Sequence, residues 1–235
     1  MTMEDLIMLG TSTPDDLCNC EKPVVFVLDD DLSVRESLDL LVRSGGWMPE
    51  TFETAEAFLY RAKALVPNCL ILDITLPDFN GLDLQALFSV ERIEMPIIFV
   101  TGHADVPLAV KAMKGGAVDF LTKPFSEEAL LQAVEQALER SKEALALASS
   151  MRAASDCYGS LSRREKEVMD LVVVGLMNKQ IGYELGISEI TVKVHRGQAM
   201  RKMKARSLPE LVKISSILGS RRQIPSPHSN METRA

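Results

Sequence analysis

Four short stretches carry residues able to do chemistry together. "VFVLDDD" ends an apolar run on Asp29, Asp30 and Asp31, and "LILDI" ends another on Asp73. "IIFVTG" closes on Thr101, and "DFLTKPF" delivers Lys123. Carboxylates brought to one place repel one another and cannot all stay ionised without a counter-charge. Oxygen donors of this kind suit a hard cation. Mg2+ typically takes one or two carboxylates and fills the rest of its shell with water and a phosphate, and Mn2+ accepts similar donors. One Asp, one metal, one Lys and one hydroxyl suffice to move a phosphoryl group onto a carboxylate. The Asp attacks in line, while the metal and the ammonium offset charge on the transferring oxygens. Any one of these residues alone reads as an ordinary polar group at the end of a strand. Together they form a complementary set.

That chemistry requires the apolar runs to be neighbouring strands that end on one edge. The pattern between residues 21 and 139 supplies this. "VVFVLD" is a short β-rich run, apolar on both faces, as in a buried parallel strand. "LSVRESLDLLVRSGG" has a helical apolar face stopped by Gly45 and Gly46. "WMPETF" is a weak edge strand containing Pro49, and "TAEAFLYRAKAL" is helical. "CLILDI", "PIIFVTG" and "AVDFLTKPF" are further strands. "LDLQALFSVER", "VPLAVKAMKGG" and a long segment beginning "SEEALLQAVEQALERSKEALALAS" are helices. Five alternating strands and helices predict a doubly wound parallel sheet of (βα)5, flavodoxin-like type. Sites in such sheets lie at the carboxyl ends of the strands, where Asp29, Asp30, Asp73, Thr101 and Lys123 fall.

The last helix continues past the expected end of that domain. Leu131, Val134, Leu138, Ser141, Leu145 and Ala148 follow steps of three and four, a coiled-coil-like seam weak at Ser141. Its second half is expected to extend as a linker or to pair with a second subunit. "MRAASDCYGS" breaks the pattern, and the domain boundary is placed there. A second, all-α module follows. "SRREKEVMDLVVVG" opens with Ser162 and Glu165, a capping box, and "NKQIGYELG" is a short helix closed by Gly186. "SEITVKVHRGQAMRKMKA" starts at Ser188 and is strongly basic, and "LPELVKISSIL" is a fourth helix. Two short helices joined by a Gly-containing turn, the second basic, fit a helix-turn-helix. The expected organisation is a flexible tail over 1–20, a sheet domain over 21–139, a linker helix over 140–158, the helical module over 159–222, and a disordered tail over 223–235.

Charge separates the two modules. The whole chain carries a net charge of -7. Residues 159–222 carry 13 Lys and Arg against 6 Asp and Glu, a surplus of 7, while the remainder has 13 against 27. Nucleic-acid binding is therefore expected of one segment only. Four cysteines, at 18, 20, 69 and 157, are too few and too scattered for a disulfide framework. No apolar run approaches the ~20 residues of a membrane span, and no signal peptide is evident. A reduced, cytoplasmic protein is expected.

Residues 22–139 resemble the receiver domain of two-component response regulators. The matching stretches are "VLDDD", "LILDITLPDFNG" and "IIFVTGHADVPLAVKAMKGGAVDFLTKPF". Residues 159–218 resemble the LuxR-type helix-turn-helix through "LSRREKEVMDLV", "GLMNKQI" and "ISEITVKVHRGQAMRKM". The pairing is similar to the FixJ/NarL family, in its FixJ-like branch. The resemblance implies a DNA-binding response regulator, not an enzyme beyond slow self-phosphorylation and self-dephosphorylation. Asp73 would accept the phosphoryl group from a partner histidine kinase. Asp29, Asp30, Asp73 and the backbone carbonyl of Thr75 would hold Mg2+. Asp31 would be an acid that does not bind the metal and instead starts the next helix. Thr101 and Lys123 would contact phosphoryl oxygens, the Lys123–Pro124 bond would be cis, and Phe120 would sit at the switching aromatic position, without the hydroxyl of a Tyr.

Phosphorylation would add roughly two negative charges and favour a homodimer or a new domain arrangement. A ~100-fold shift needs a differential of only about 2.7 kcal/mol. Residues 189–203 would lie in the major groove of double-stranded promoter DNA. Lys193, Val194 and Gly197 would face base edges. Gly197 can make no side-chain contact there, which makes Arg196 a candidate substitute. Lys179, Thr191, Arg201 and Lys202 would meet phosphates. Gly182 stands where the motif commonly has Ala and is expected to loosen its helix by up to ~1 kcal/mol. RNA polymerase is a further partner the resemblance admits; a membrane is not. Three other readings compete. A dinucleotide enzyme would need G-x-G-x-x-G after the first strand, which the sequence lacks. An aspartyl phosphohydrolase would need an acid two residues after Asp73, where Thr75 stands. The helical unit could instead be an RNA or protein-interaction module; RNA binding would need stacking aromatics, and residues 159–222 hold only Tyr183.

Overall fold

The computed structural model describes residues 22–61, 66–77, 79–91, 93–102 and 105–219. The tails expected over 1–20 and 223–235 lie outside the described residues. The chain divides into two compact units, the first ending at Ala146 and the second starting at Leu147.

In the first unit, β1 (Val24–Leu28), β2 (Met48–Phe52), β3 (Asn68–Asp73), β4 (Ile97–Thr101) and β5 (Asp119–Thr122) form one sheet in the order β2-β1-β3-β4-β5. All pairings are parallel. β2 is an edge strand, which tolerates Pro49 because only one of its sides must pair. The helices α1 (Leu32–Ser44), α2 (Ala55–Arg61), α3 (Gly81–Glu91), α4 (Val106–Lys114) and α5 (Glu127–Gly159) follow the strands in turn. This is the (βα)5 doubly wound sheet the alternating pattern predicts.

Every residue of β1, β3 and β4 is buried, as apolar runs without a polar face require. Side chains alternate between the two faces. Phe26, Leu28, Leu70, Leu72 and Phe99 pack with Phe58, Leu84 and Phe88 from α2 and α3. Val25, Val27, Ile71, Ile98 and Val100 pack with Leu38 and Val42 of α1 and Leu130, Val134 and Leu138 of α5. Cys69 lies in this second layer, where burial pushes its thiol pKa up and keeps it protonated.

The apolar seam breaks at "MRAASDCYG", but the helix does not: α5 runs to Gly159. Losing an apolar seam is not the same as losing a helix: Met, Arg and Ala are good helix formers. Ala154 is buried and Cys157 and Tyr158 pack on the core of the second unit. Ser141 is also no weak point. It is buried, and its hydroxyl accepts the Asn68 N–H at 3.0 Å, so the first half of the seam is a contact with the helix's own sheet.

The second unit contains α6 (Arg163–Val173), α7 (Asn178–Leu185), α8 (Glu189–Lys202) and α9 (Leu208–Gly219). Val168, Met169, Val172, Ile181, Val192, Ala199, Met203 and Leu211 form its core, with Leu185 and Ile187 partly buried against it. Ser162 and Glu165 close the expected capping box on α6. α7 ends on Gly186 at φ 65°, a left-handed turn that glycine adopts without strain. Gly182 has a further role. A Cβ there would lie 2.8 Å from the Ile187 carbonyl oxygen, so glycine permits the close α7–α8 turn as well as lowering helix propensity. Among the described residues, no helix is long and apolar enough to cross a membrane.

Candidate functional site

The sheet order reverses between β1 and β3, and the strand ends flanking that point carry the acids. Asp29 follows β1 directly and Asp73 is the last residue of β3. Parallel neighbours in register bring these ends together: Leu28 pairs with Leu72, each one residue before its acid. One carboxylate oxygen from each of Asp29, Asp30 and Asp73 lies within 4.8 Å of the others. Asp29 and Asp73 are buried and Asp30 is exposed. The set fits a hard divalent cation, because every donor is oxygen and the open side at Asp30 leaves room for water.

Lys123 sits between the two buried acids. Its Nζ donates to Asp29 Oδ2 at 2.7 Å and to Asp73 Oδ2 at 2.9 Å. Burial draws its pKa down, but the hydrogen bonds and charges of Asp29 and Asp73 outweigh that and leave it raised. The other carboxylate oxygens are occupied by backbone. Asp29 Oδ1 accepts the Asp31 N–H at 2.9 Å, and Asp73 Oδ1 accepts the Thr75 N–H at 2.9 Å. These bonds fix each carboxylate's rotation, so that both present their second oxygen to Lys123.

Most of the remaining predicted residues lie on the same rim, while Phe120 sits within β5, paired with Phe99. Thr101 is the last residue of β4 and fully buried, and its carbonyl accepts the Lys123 N–H at 2.8 Å. The Lys123–Pro124 peptide bond is cis. Phe120 is partly buried against the first core layer. Asp31 caps α1, accepting the Ser33 N–H at 2.8 Å. The Ser33 hydroxyl, then its N–H, hold the Asp31 carboxyl below its ordinary pKa. Thr75 forms a bridge with Asn80, and the Gly81 N–H donates to the Ile74 carbonyl at 3.0 Å, closing the loop after Asp73. Gly81 is needed there: a Cβ would lie 2.9 Å from the Asp73 carbonyl oxygen.

Sequence reasoning missed Arg35. Its Nη1 donates to the Asp29 carbonyl at 2.7 Å and steadies the end of β1 from the first turns of α1. No local pattern marks it, because it reads as one more polar position on an amphipathic helix.

In the second unit the basic residues of α8 divide into two groups. Lys193 pairs with Glu189 at 3.0 Å, Arg196 donates to Asn178 at 3.1 Å, and Lys202 donates to the buried Glu165 at 2.7 Å. Lys202 also donates to the Ser160 carbonyl, so it ties the end of α8 to the start of α6. Thr191 shares a hydroxyl contact of 2.8 Å with Ser188, the helix cap. Lys179, Val194, Gly197 and Arg201 are exposed. Asn178 and the Lys202–Glu165 pair were not foreseen. The capping box names Glu165 but not its distant partner.

Comparison with known proteins places these units. Residues 25–135 match the response regulator receiver domain, and residues 159–215 match the bacterial regulatory proteins of the luxR family. The chain is 48% identical over 198 residues to nodulation protein W of Bradyrhizobium diazoefficiens, covering 84% of this chain and 87% of that protein. It is 44% identical over 195 residues to the transcriptional regulatory protein FixJ of Azorhizobium caulinodans, covering 83% and 92%. Among solved structures, the response regulator StyR is similar at 45% identity and a TM-score of 0.74, over 83% of this chain and 98% of that one.

Proposed function

The chain belongs to the two-component response regulators that join a receiver domain to a LuxR-type helix-turn-helix, in their FixJ-like branch, and from that membership we propose a phosphorylation-controlled transcription factor whose acceptor is Asp73. The observation that carries this is the ammonium of Lys123 held between Asp29 and Asp73 beside Asp30. Residues 21–139 are assigned the phospho-accepting role and 159–222 the DNA-binding role, joined by 140–158.

A histidine kinase partner supplies the phosphoryl group. A carboxylate oxygen of Asp73 forms the new O–P bond as the N–P bond of the partner's phosphohistidine breaks, and the imidazole leaves with the electron pair. Asp29, Asp30, Asp73 and the Thr75 carbonyl are the residues proposed to hold Mg2+ or Mn2+. When bound, that ion would offset charge on the transferring oxygens. Lys123 needs only to turn from the Asp73 carboxylate to a phosphoryl oxygen, and the Thr101 hydroxyl sits on the adjacent strand end to follow another. Their movement, with that of Phe120 on β5, which pairs with β4 and leads into Lys123, is the proposed signal for homodimerisation or a changed domain arrangement.

The DNA-binding role falls to α8 and its surroundings, with Lys193, Val194 and Arg196 toward base edges and Lys179, Thr191, Arg201 and Lys202 toward phosphates. The proposed place of action is the cytoplasm, with double-stranded promoter DNA and RNA polymerase as downstream partners. A small phosphodonor with Mg2+ should change the affinity of the full chain for duplex DNA by about 100-fold, a shift of about 2.7 kcal/mol. The Asp73→Asn variant should not respond. An equal response in that variant would remove Asp73 from the account.

A further inference from the structure

The outward face of α8 carries exposed aliphatic side chains ahead of Arg201. Val192, Ala199 and Met203 define its buried side. At 100° per residue, Ile190, Val194, Gly197 and Arg201 fall on the opposite side, in steps of four, three and four. Ile190 is 75% exposed and Val194 is 52% exposed. The space where a Gly197 Cβ would stand is open. β-branched residues have no reason to occupy an exposed helix face for the helix's sake, since they lose χ1 freedom there.

The neighbouring Lys193, Arg196 and Lys202 each have a polar partner within the unit. Lys193 is held by Glu189, Arg196 by Asn178 and Lys202 by Glu165. What the helix presents straight outward is two branched aliphatic groups, a bare backbone step, and then Arg201. The surrounding segment carries a surplus of 7 positive charges, which matches a polyanion and not an apolar protein surface. In the major groove, the one feature complementary to an exposed methyl-bearing side chain is the C5-methyl of thymine.

We infer that Ile190 is a specificity-determining residue and that, with Val194, it reads thymine methyl groups, while Gly197 lets the helix seat close enough for both to reach. This rests on the DNA-binding reading of the helical unit and deepens it by naming what is read. The stripe itself carries no donor ahead of Arg201, which lies at the phosphate end; Lys193 and Arg196, proposed above for base edges, flank it.

The test uses the full chain with a small phosphodonor and Mg2+, and the duplex it selects from a random-sequence pool. Thymidines of that duplex are replaced one at a time by deoxyuridine, which deletes only the methyl. Affinity should fall about fourfold at each of two thymines per half-site, the factor expected for exposing one methyl group. Ile190→Ala should abolish the loss at one of them and Val194→Ala at the other, each variant binding the corresponding thymine and uracil duplexes equally. Both positions are exposed, so neither change should disturb folding, which circular dichroism would verify. If uracil and thymine duplexes bind the unaltered protein alike, or if both variants retain the full methyl effect, the inference is overturned and the DNA-binding reading stands. If no duplex is retained over single strands, both fall.

Discussion

The strand-end rim and the outward face of α8 handle charge in opposite ways. At the rim, residues separated by up to 94 positions converge, and Lys123 compensates two buried carboxylates without leaving a neutral, inert contact. The ammonium is shared, so either acid can release it when a new anion arrives. On α8, Lys193, Arg196 and Lys202 find partners at four positions or within the same unit, and Ile190 and Val194 face outward ahead of Arg201. The first arrangement suits a reaction, because its charges are held ready and in excess. The second suits recognition, because its surface is spared and fixed. A sheet gathers distant residues at one edge, whereas a helix offers a contiguous stripe.

Removing the shared ammonium should break the comparison most severely. Lys123→Ala is expected to slow phosphodonor labelling by about 100-fold or more, the usual scale for losing a donor to a developing oxyanion. Duplex binding by the helical unit in the absence of phosphodonor should change little. Because both acids raise the Lys123 pKa, the stability it contributes is complete below its ordinary value and is lost as pH climbs through the raised value. An alkaline melting series should show this loss above about pH 10, and it should be absent in Lys123→Ala.

The helical unit offers the converse. Glu165→Ala should cost about 2 kcal/mol, since it removes a buried carboxylate that caps α6 and holds Lys202. Denaturant unfolding reads this, and labelling of Asp73 should be unaffected. The Lys202 ammonium, then the Ser162 N–H, lower the Glu165 pKa. Its contribution is therefore present at neutral pH and lost as pH falls through that lowered value. Glu165→Gln should keep part of the cap and lose this acid dependence.

Two glycines sharpen the comparison with smaller effects. Gly81→Ala should reduce labelling roughly tenfold, because its Cβ would push the Asp73 carbonyl and misplace the acceptor. Gly182→Ala should lower stability by about 1 kcal/mol, as overpacking against the Ile187 carbonyl outweighs the gain in helix propensity. Stabilisation by Gly182→Ala would show that the turn relaxes freely.

The rim was legible in the sequence because its logic is topological. Apolar runs ending in Asp29, Asp73 and Thr101, alternating with helices, leave little choice about where those ends meet. Asp31 was also legible, as an N-cap one residue before a helical pattern. What stayed hidden depends on side-chain reach. Arg35, Asn178 and the Lys202–Glu165 pair are ordinary polar residues until folding brings them together. The break in the seam of α5 has another reason: its second part changes which core it serves. Ser141 was misleading, since a buried hydroxyl bonded to Asn68 looks in sequence like a fault in a seam.

Asp73 as the acceptor is tested most directly by intact-mass measurement after incubation with a small phosphodonor and Mg2+. The expected result is one added phosphoryl group per chain, stable in acid and labile in base, absent when the metal is chelated and absent in Asp73→Asn. Equal labelling of Asp73→Asn would contradict it.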